Sequence, residues 1–412
     1  MVFGDYLGRY NRNLFLFVQK TRRENSRTYA EWMMKMTPEI KQRIKQICRR
    51  EVPDRYIKTV SGIVPADWNR YTFGDIYIER KEPGNEALPL LTVSIHSGVS
   101  DGEIEDTEQP KKVKRIKDKS KYKKAISGDL VFNMMRAWQG AIGTVRTTGM
   151  VSPAYIVAKP NDKVYPLFMD YYTRTPQMIN QIDRQSYGVT DFRKRLYWDS
   201  FAPISCALPS IEEQKKIATI LTTQDKVIEL KEKRLTEKQR QKKYLLQQLS
   251  TGQKRLPGFT FEVQETNIKS ISIYSVSSIS QTTLEKYEGK RLYPVFNANS
   301  IAGYVDFFEN EYPYVSIIKD GAGIGRVRLC EAKSSTIGTM GCIHARKGIS
   351  IVFLYYLLEQ VDFSKYSNGS TIPHLYYKDY SCEKVWVPDI QEQTAIAEVL
   401  STADREIDLL RQ

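Results

Sequence analysis

One stretch of this chain occurs twice. Pro209-Ser-Ile-Glu-Glu-Gln-Lys-Lys-Ile-Ala-Thr-Ile-Leu-Thr-Thr-Gln-Asp225 returns as Pro388-Asp-Ile-Gln-Glu-Gln-Thr-Ala-Ile-Ala-Glu-Val-Leu-Ser-Thr-Ala-Asp404, an offset of 179 (388 − 209). Ile211, Glu213, Gln214, Ile217, Ala218, Leu221, Thr223 and Asp225 recur without a gap. Apolar residues at steps of three and four make each copy a helix. A helix repeated after a large segment predicts a two-fold repeated architecture, with two similar surfaces at a set separation.

The first copy runs on as a heptad seam. Ile217, Leu221, Gln224, Ile228, Lys231, Leu235, Lys238, Lys242, Leu245 and Leu249 predict one helix from Ile211 to about Ser250, apolar at its ends and polar in its middle. At 1.5 Å per residue that is a rod of roughly 60 Å, stopped by Gly252 and Pro257-Gly258. In the second copy Ile396, Leu400, Ala403, Ile407 and Leu410 keep the spacing. The polar seam offers either a docking surface for partner helices or lysine stems lying along a two-helix seam.

Between the helices the texture repeats as well. Strand-like runs at Leu90–Ile95, Asp129–Asn133 and Ala154–Val157 precede a helix-like stretch from Pro166 to Ile182. Gly140-Ala-Ile-Gly-Thr-Val145 is echoed by Ala322-Gly-Ile-Gly-Arg-Val327, and Phe168 to Tyr171 by Phe353 to Tyr356. Tyr187-Gly-Val-Thr190 is echoed by Asn368-Gly-Ser-Thr371. Shared scaffold with divergent loops suits one fold reading two different targets.

At 412 residues the chain exceeds one ordinary core, and 41% hydrophobic content supports globular domains. A net charge of +14, with nine basic residues between Lys111 and Lys124, points to a polyanionic partner. Cys48, Cys206, Cys330, Cys342 and Cys382 contain no Cys-x-x-Cys pair and read as reduced, buried thiols. His96, His344 and His374 stand apart, which disfavours a histidine metal site. No apolar run approaches the roughly 20 residues of a membrane span, and a cytoplasmic protein is expected.

With its duplicated Pro-x-Ile-x-Glu-Gln-x-x-Ile-Ala-x-x-Leu helix and two flanking variable segments, residues 57–412 resemble the DNA specificity subunit of type I restriction-modification systems. The resemblance implies an α+β fold: two similar mixed α/β target-recognition domains joined by two long antiparallel helices, with internal pseudo-two-fold symmetry. The implied division is a basic N-terminal extension (1–56), a first recognition domain (57–207) and a first conserved helix (208–252), then a second domain (253–387) and second helix (388–412). Such a subunit is non-catalytic. It binds double-stranded DNA at a split target and docks two adenine-N6 methyltransferase subunits, which use S-adenosylmethionine. Restriction subunits that translocate on ATP and Mg can join them. No cofactor is expected on this chain.

The absences agree. There is no Asp/Asn-Pro-Pro-Tyr/Phe amino-methylation motif and no Gly-x-x-x-x-Gly-Lys-Ser/Thr loop. Gly321-Ala-Gly-Ile-Gly325 is read as a strand turn, not a nucleotide loop. Base contacts in the first domain are expected from Arg136, Gln139, Tyr187, Thr190, Arg193 and Lys194. Those in the second are expected from Asn297, Asn299, Lys319, Arg326, Asn368 and Ser370. The alternatives are a basic coiled-coil scaffold or RNA-binding adaptor without methyltransferase partners, and an enzyme such as a nuclease with an unfamiliar site.

The second helix is shorter than the first, so Ile217, Leu221 and Ile228 are expected to be left partly exposed. A helix after Thr37-Pro38-Glu39, with Ile40, Ile44, Ile47 and Cys48 on one face and Pro53 beyond it, is expected to supply the missing cover. The chain then reads as a circle cut within one repeat, Gly62 and Pro65 matching Gly252 and Pro257.

Overall fold

The structure, a computed structural model, describes residues 37–411 apart from 61, 86, 96–97, 102–120, 189–192, 261–263, 291, 322 and 370–371. The chain divides into two compact units, residues 1–228 and 229–412, and the division falls inside one helix. Most of the Lys111–Lys124 segment, with Thr190, Ser370 and His96, lies outside the described residues.

The first unit opens with α1 (Pro38–Cys48), whose N-cap is Thr37; its hydroxyl accepts from the Ile40 amide at 3.4 Å. Ile40, Ile44 and Ile47 are buried, as the pattern requires. Strand β1 (Asn69–Thr72) leads into the single turn α2 (Phe73–Ile76), fixed by Thr72 and Asp75 as a capping box. Next come β2 (Tyr77–Glu79), β3 (Leu130–Asn133), β4 (Ile142–Thr144) and β5 (Tyr155–Pro160). They form an antiparallel sheet in the order β2-β5-β3-β4. Helices α3 (Pro166–Tyr172) and α4 (Pro176–Gln185) follow, then β6 (Ser205–Leu208), which pairs back with β1. The continuous helix expected from 166 to 182 is broken because Thr175 caps a new start, accepting from the Met178 amide, and Pro176 takes its first position.

The long helix α5 spans Ile211–Ser250, matching the seam read from sequence. The second unit then repeats the plan: β7 (Gln264–Asn267), the turn α6 (Ile268–Ile271) capped by Asn267, and β8 (Ser272–Val276). A small lobe with β9 (Tyr293–Phe296) and β10 (Ile301–Val305) precedes β11 (Tyr314–Ile318), β12 (Val327–Cys330) and β13 (Met340–Ala345). The sheet order β8-β13-β11-β12 is again antiparallel. Helix α7 (Ile351–Gln360), strand β14 (Lys384–Val387) paired with β7, and α8 (Ile390–Arg411) complete it.

The two sheets share their register residue by residue. Val131 faces Val157 and Gly143 in one; Ser316 faces Cys342 and Arg328 in the other, each displaced by 185 (316 − 131). This corrects the sequence echo, which set Gly140 against Ala322. Its true counterpart is Gly325 (325 − 140 = 185), and both sit at positive φ (104° and 79°), where glycine is the unstrained choice. Gly321–Gly325 is part of the β11–β12 connection, a strand turn as expected.

Each unit has its own core. Phe73, Phe132, Phe168 and Phe201 centre the first, together with Ile217 and Ala218 from α5. Ile217 is therefore buried, contrary to the exposure expected of it; Leu221 is partly exposed, as expected, and packs against the same core, and Val227, Ile228 and Leu230 are exposed. The expected cover for Ile228 by α1 is not realised, since Ile228 stays 42% exposed. In the second unit, Leu246 and Leu249 of α5 meet Ile396, Ala397 and Leu400 of α8. The pairing is antiparallel: Lys238 meets Glu406 at 2.6 Å, Lys242 meets Asp404 at 2.8 Å, and Arg255 beyond the helix meets Glu392. Those seam lysines are thus held by carboxylates within the unit.

Cys206, Cys330 and Cys342 are buried free thiols, and burial pushes the Cys342 thiol up to about 11. Cys48 and Cys382 are exposed, unlike the expectation for all five.

Arg255 donates from Nε to Glu392 Oε1 at 2.7 Å, and Glu392 is 1% exposed. Removing one partner of such a pair strands a buried charge. Arg255→Met should therefore lower the urea midpoint of unfolding at neutral pH, and an unchanged midpoint would show that the pair does not stabilise the second unit.

Candidate nucleic-acid interface

In the second unit the tight turn Asn297–Ser300 joins β9 to β10. The Asn297 side-chain oxygen accepts from the Asn299 amide at 2.9 Å and the Ser300 amide at 2.8 Å, an Asx turn that fixes the backbone. Two arginines from the start of β12 lean on this turn. Arg326 donates from Nη2 to Ala298 O (3.0 Å) and Asn299 Oδ1 (2.8 Å). Arg328 donates from Nη2 to Asn299 O at 2.7 Å, with its guanidinium 5.7 Å from the Phe296 ring centre. They line a cleft of about 420 Å³ with Asn297 and Tyr355.

The partners of these arginines decide their role. Arg80 is held by Asp129, Arg146 by Asp170 and Arg255 by Glu392. Among the described residues, Arg326 and Arg328 form no salt bridge; the oxygens they bond are neutral. Their charge is undiminished, and it is held in place by a rigid turn. Such a pair attracts an anion or a hydrogen-bond acceptor such as a guanine edge.

Nearby, Lys319 Nζ lies 2.8 Å from Asp320, whose other oxygen is 2.8 Å from His374 Nδ1. Burial would raise the Asp320 carboxyl, but Lys319 and His374 outweigh it and hold the group below the usual range. Lys319 is thereby partly neutralised. Asn368 donates to Tyr366 O and to Asp379.

The first unit uses the same wiring with different side chains. Tyr187 and Arg195 exchange two backbone hydrogen bonds, as a bridge joins Asn368 and His374 in the second unit. Leu196 N donates to Met134 O, and Leu375 N donates to Lys319 O, so each hairpin is tied to the end of the central strand. The echo of Tyr187 by Asn368 is therefore structural. Arg136 and Gln139 are exposed on either side of Trp138 in the β3–β4 connection. Lys194 Nζ lies 4.9 Å from the Trp138 ring centre and 2.8 Å from Asp183. Tyr187 is 60% exposed and packs on Tyr197, while Arg193 is exposed on the hairpin. Arg136, Gln139, Tyr187, Arg193 and Lys194 are thus brought to one end of the first sheet.

In the second unit, Asn297, Asn299 and Arg326 share the cleft, while Lys319 and Asn368 belong to the hairpin side. The side-chain oxygens of Asn297 and Asn299 are engaged by the turn and by Arg326, so these residues build the site. Arg328 was not anticipated from the sequence. The signal was its spacing from Arg326, since alternate residues of a strand share a face. Among the described residues no group of three or more His, Cys, Asp or Glu side chains could hold a metal, and no helix is long and apolar enough to cross a membrane.

The two sheets share one register, and a copy of the recurring helix follows each of them. Residues 262–412 match the family described as "Type I restriction modification DNA specificity domain". The resemblance read from the duplicated helix is borne out. Over 121 residues the chain is 26% identical to the type I restriction enzyme EcoprrI specificity subunit of Escherichia coli. That match spans 29% of this chain and 30% of the relative's length. In fold, the chain is similar to the S subunit of a type I restriction-modification system from M. genitalium. The TM-score is 0.53 at 14% identity, covering 84% of this chain and 91% of the other. The α+β class with two similar domains stands.

Proposed function

We propose that this chain is the non-catalytic DNA-specificity subunit of a type I restriction-modification enzyme. Each unit reads one half of a bipartite duplex target, and the long helices set the gap between the halves. Two adenine-N6 methyltransferase subunits dock on the chain and bring S-adenosylmethionine; restriction subunits, where they join, bring ATP and Mg. Placement is this chain's contribution, and base flipping belongs to the methyltransferases.

The observation carrying this reading is the pair Arg326 and Arg328, held by neutral oxygens at the rim of a domain that occurs twice. A net charge of +14 supports a polyanionic partner, with affinity that falls steeply as salt concentration rises, because counterions released from the nucleic acid then gain less entropy. Methylation mapping of DNA from cells producing the full system tests it. Two half-sites separated by a fixed unspecified gap are expected. A single uninterrupted site, or no methylated site, overturns the proposal.

A further inference from the structure

The repeated motif contains a glutamine whose role the sequence does not disclose. Gln214 is 1% exposed, and so is Gln393. The Gln214 side-chain oxygen accepts from the Tyr165 amide at 2.8 Å, and its nitrogen donates to Lys163 O and Pro209 O, both at 3.0 Å. Gln393 does the same: its oxygen accepts from the Ser350 amide at 2.9 Å, and its nitrogen donates to Gly348 O and Pro388 O at 3.3 and 2.8 Å. Tyr165 and Ser350 are the N-cap residues of α3 and α7.

Each arrangement has a second tie. Tyr171 on α3 donates to Asp225 at 2.5 Å, and Tyr356 on α7 donates to Asp404 at 2.8 Å. On the long helices the two tie points are eleven residues apart in both units (225 − 214 and 404 − 393). On α3 and α7, counted from their N-caps, they are six apart in both (171 − 165 and 356 − 350). One tie between two helices leaves a swivel; two ties about 16 Å apart remove it. The rest of the rim differs between the units, but this geometry is kept.

We infer that Gln214 with Tyr171–Asp225, and Gln393 with Tyr356–Asp404, are positioning residues that fix the angle between each recognition domain and its long helix. The inference rests on the split-target reading above. Small angles matter here. A tilt of about 3° at one end of a roughly 60 Å helix displaces the other by about 3 Å, close to the rise of one base pair. A loosened tie therefore blurs the gap and leaves the half-sites alone.

The test selects from a randomised duplex DNA library with the full chain and with the variant Tyr171→Phe/Tyr356→Phe. Phenylalanine keeps both rings, including the Tyr356 face that Lys242 approaches at 5.4 Å, and removes only the hydroxyl ties. The parent should select two half-sites at one gap. The variant should select the same half-sites, with discrimination against gaps one base pair longer or shorter reduced about fivefold per lost hydroxyl. Gln393→Met should reduce it further. An unchanged gap preference in the double variant overturns the inference, as does loss of half-site selection together with the gap. A parent that selects one uninterrupted site defeats the underlying reading instead, whatever the variant does.

Discussion

Arg326→Gln should lower the salt dependence of duplex DNA binding by about one unit of slope and leave the selected sequence unchanged. Arg328→Gln should cost about 1–3 kcal/mol and relax a single position of one half-site. The difference follows from which donors are spent. Arg326 uses Nη2 twice, on Ala298 O and Asn299 Oδ1. Both planar forks of a guanidinium include that nitrogen, so single donors remain, which suit phosphate oxygens better than a paired base edge. Arg328 uses Nη2 once and keeps a fork for bidentate contact. Together the substitutions should weaken binding at physiological salt by roughly two orders of magnitude. Binding titrations at several salt concentrations, with selection of the preferred site, separate the two effects. Wild-type affinity and slope in the double variant would remove the cleft from the interface.

The sequence disclosed those parts of the fold that local periodicity dictates. The α5 seam, the recurrence of α8 and the Thr37 cap of α1 are written in residues close together in the chain, and all three are present. Long-range pairing was harder to read. Gly140 was set against Ala322 because the short glycine pattern matched there, whereas hydrogen bonding between distant strands sets the register at Gly325. The site was partly readable for a related reason. Asparagine suits a base edge and an Asx turn equally well, so Asn297 and Asn299 could be placed at the rim but not assigned between those uses. A heptad does not say whether Gln224, Lys231 and Lys238 serve docking or packing; Lys238 is paired with Glu406 from a remote segment that leaves no trace in the heptad, while Gln224 and Lys231 are exposed. The length of α8 alone implies an exposed Ile217, but the core of the first unit covers it.

Inserting one heptad into α5 between Leu230 and Arg234 should lengthen the gap and leave both half-sites as they were. Every residue from Leu230 to Arg234 is exposed and lies beyond the Tyr171–Asp225 tie, so the insertion should cost little stability. Seven residues turn a straight helix by almost two full turns, leaving its faces about 20° from their former direction. They add about 10 Å of length, which bounds the change in gap at about three base pairs. Helix faces make the decisive comparison. An insertion of five residues lengthens the rod almost as much but turns everything beyond it by about 140°. That variant should lose split-site binding, although it folds as well as the heptad variant by circular dichroism and thermal melting. Selection from a duplex library containing many gap lengths distinguishes the outcomes. If the heptad variant retains the parental gap, or the five-residue variant binds as well as the heptad variant, the long helix is a tether and its length and phase do not set the target.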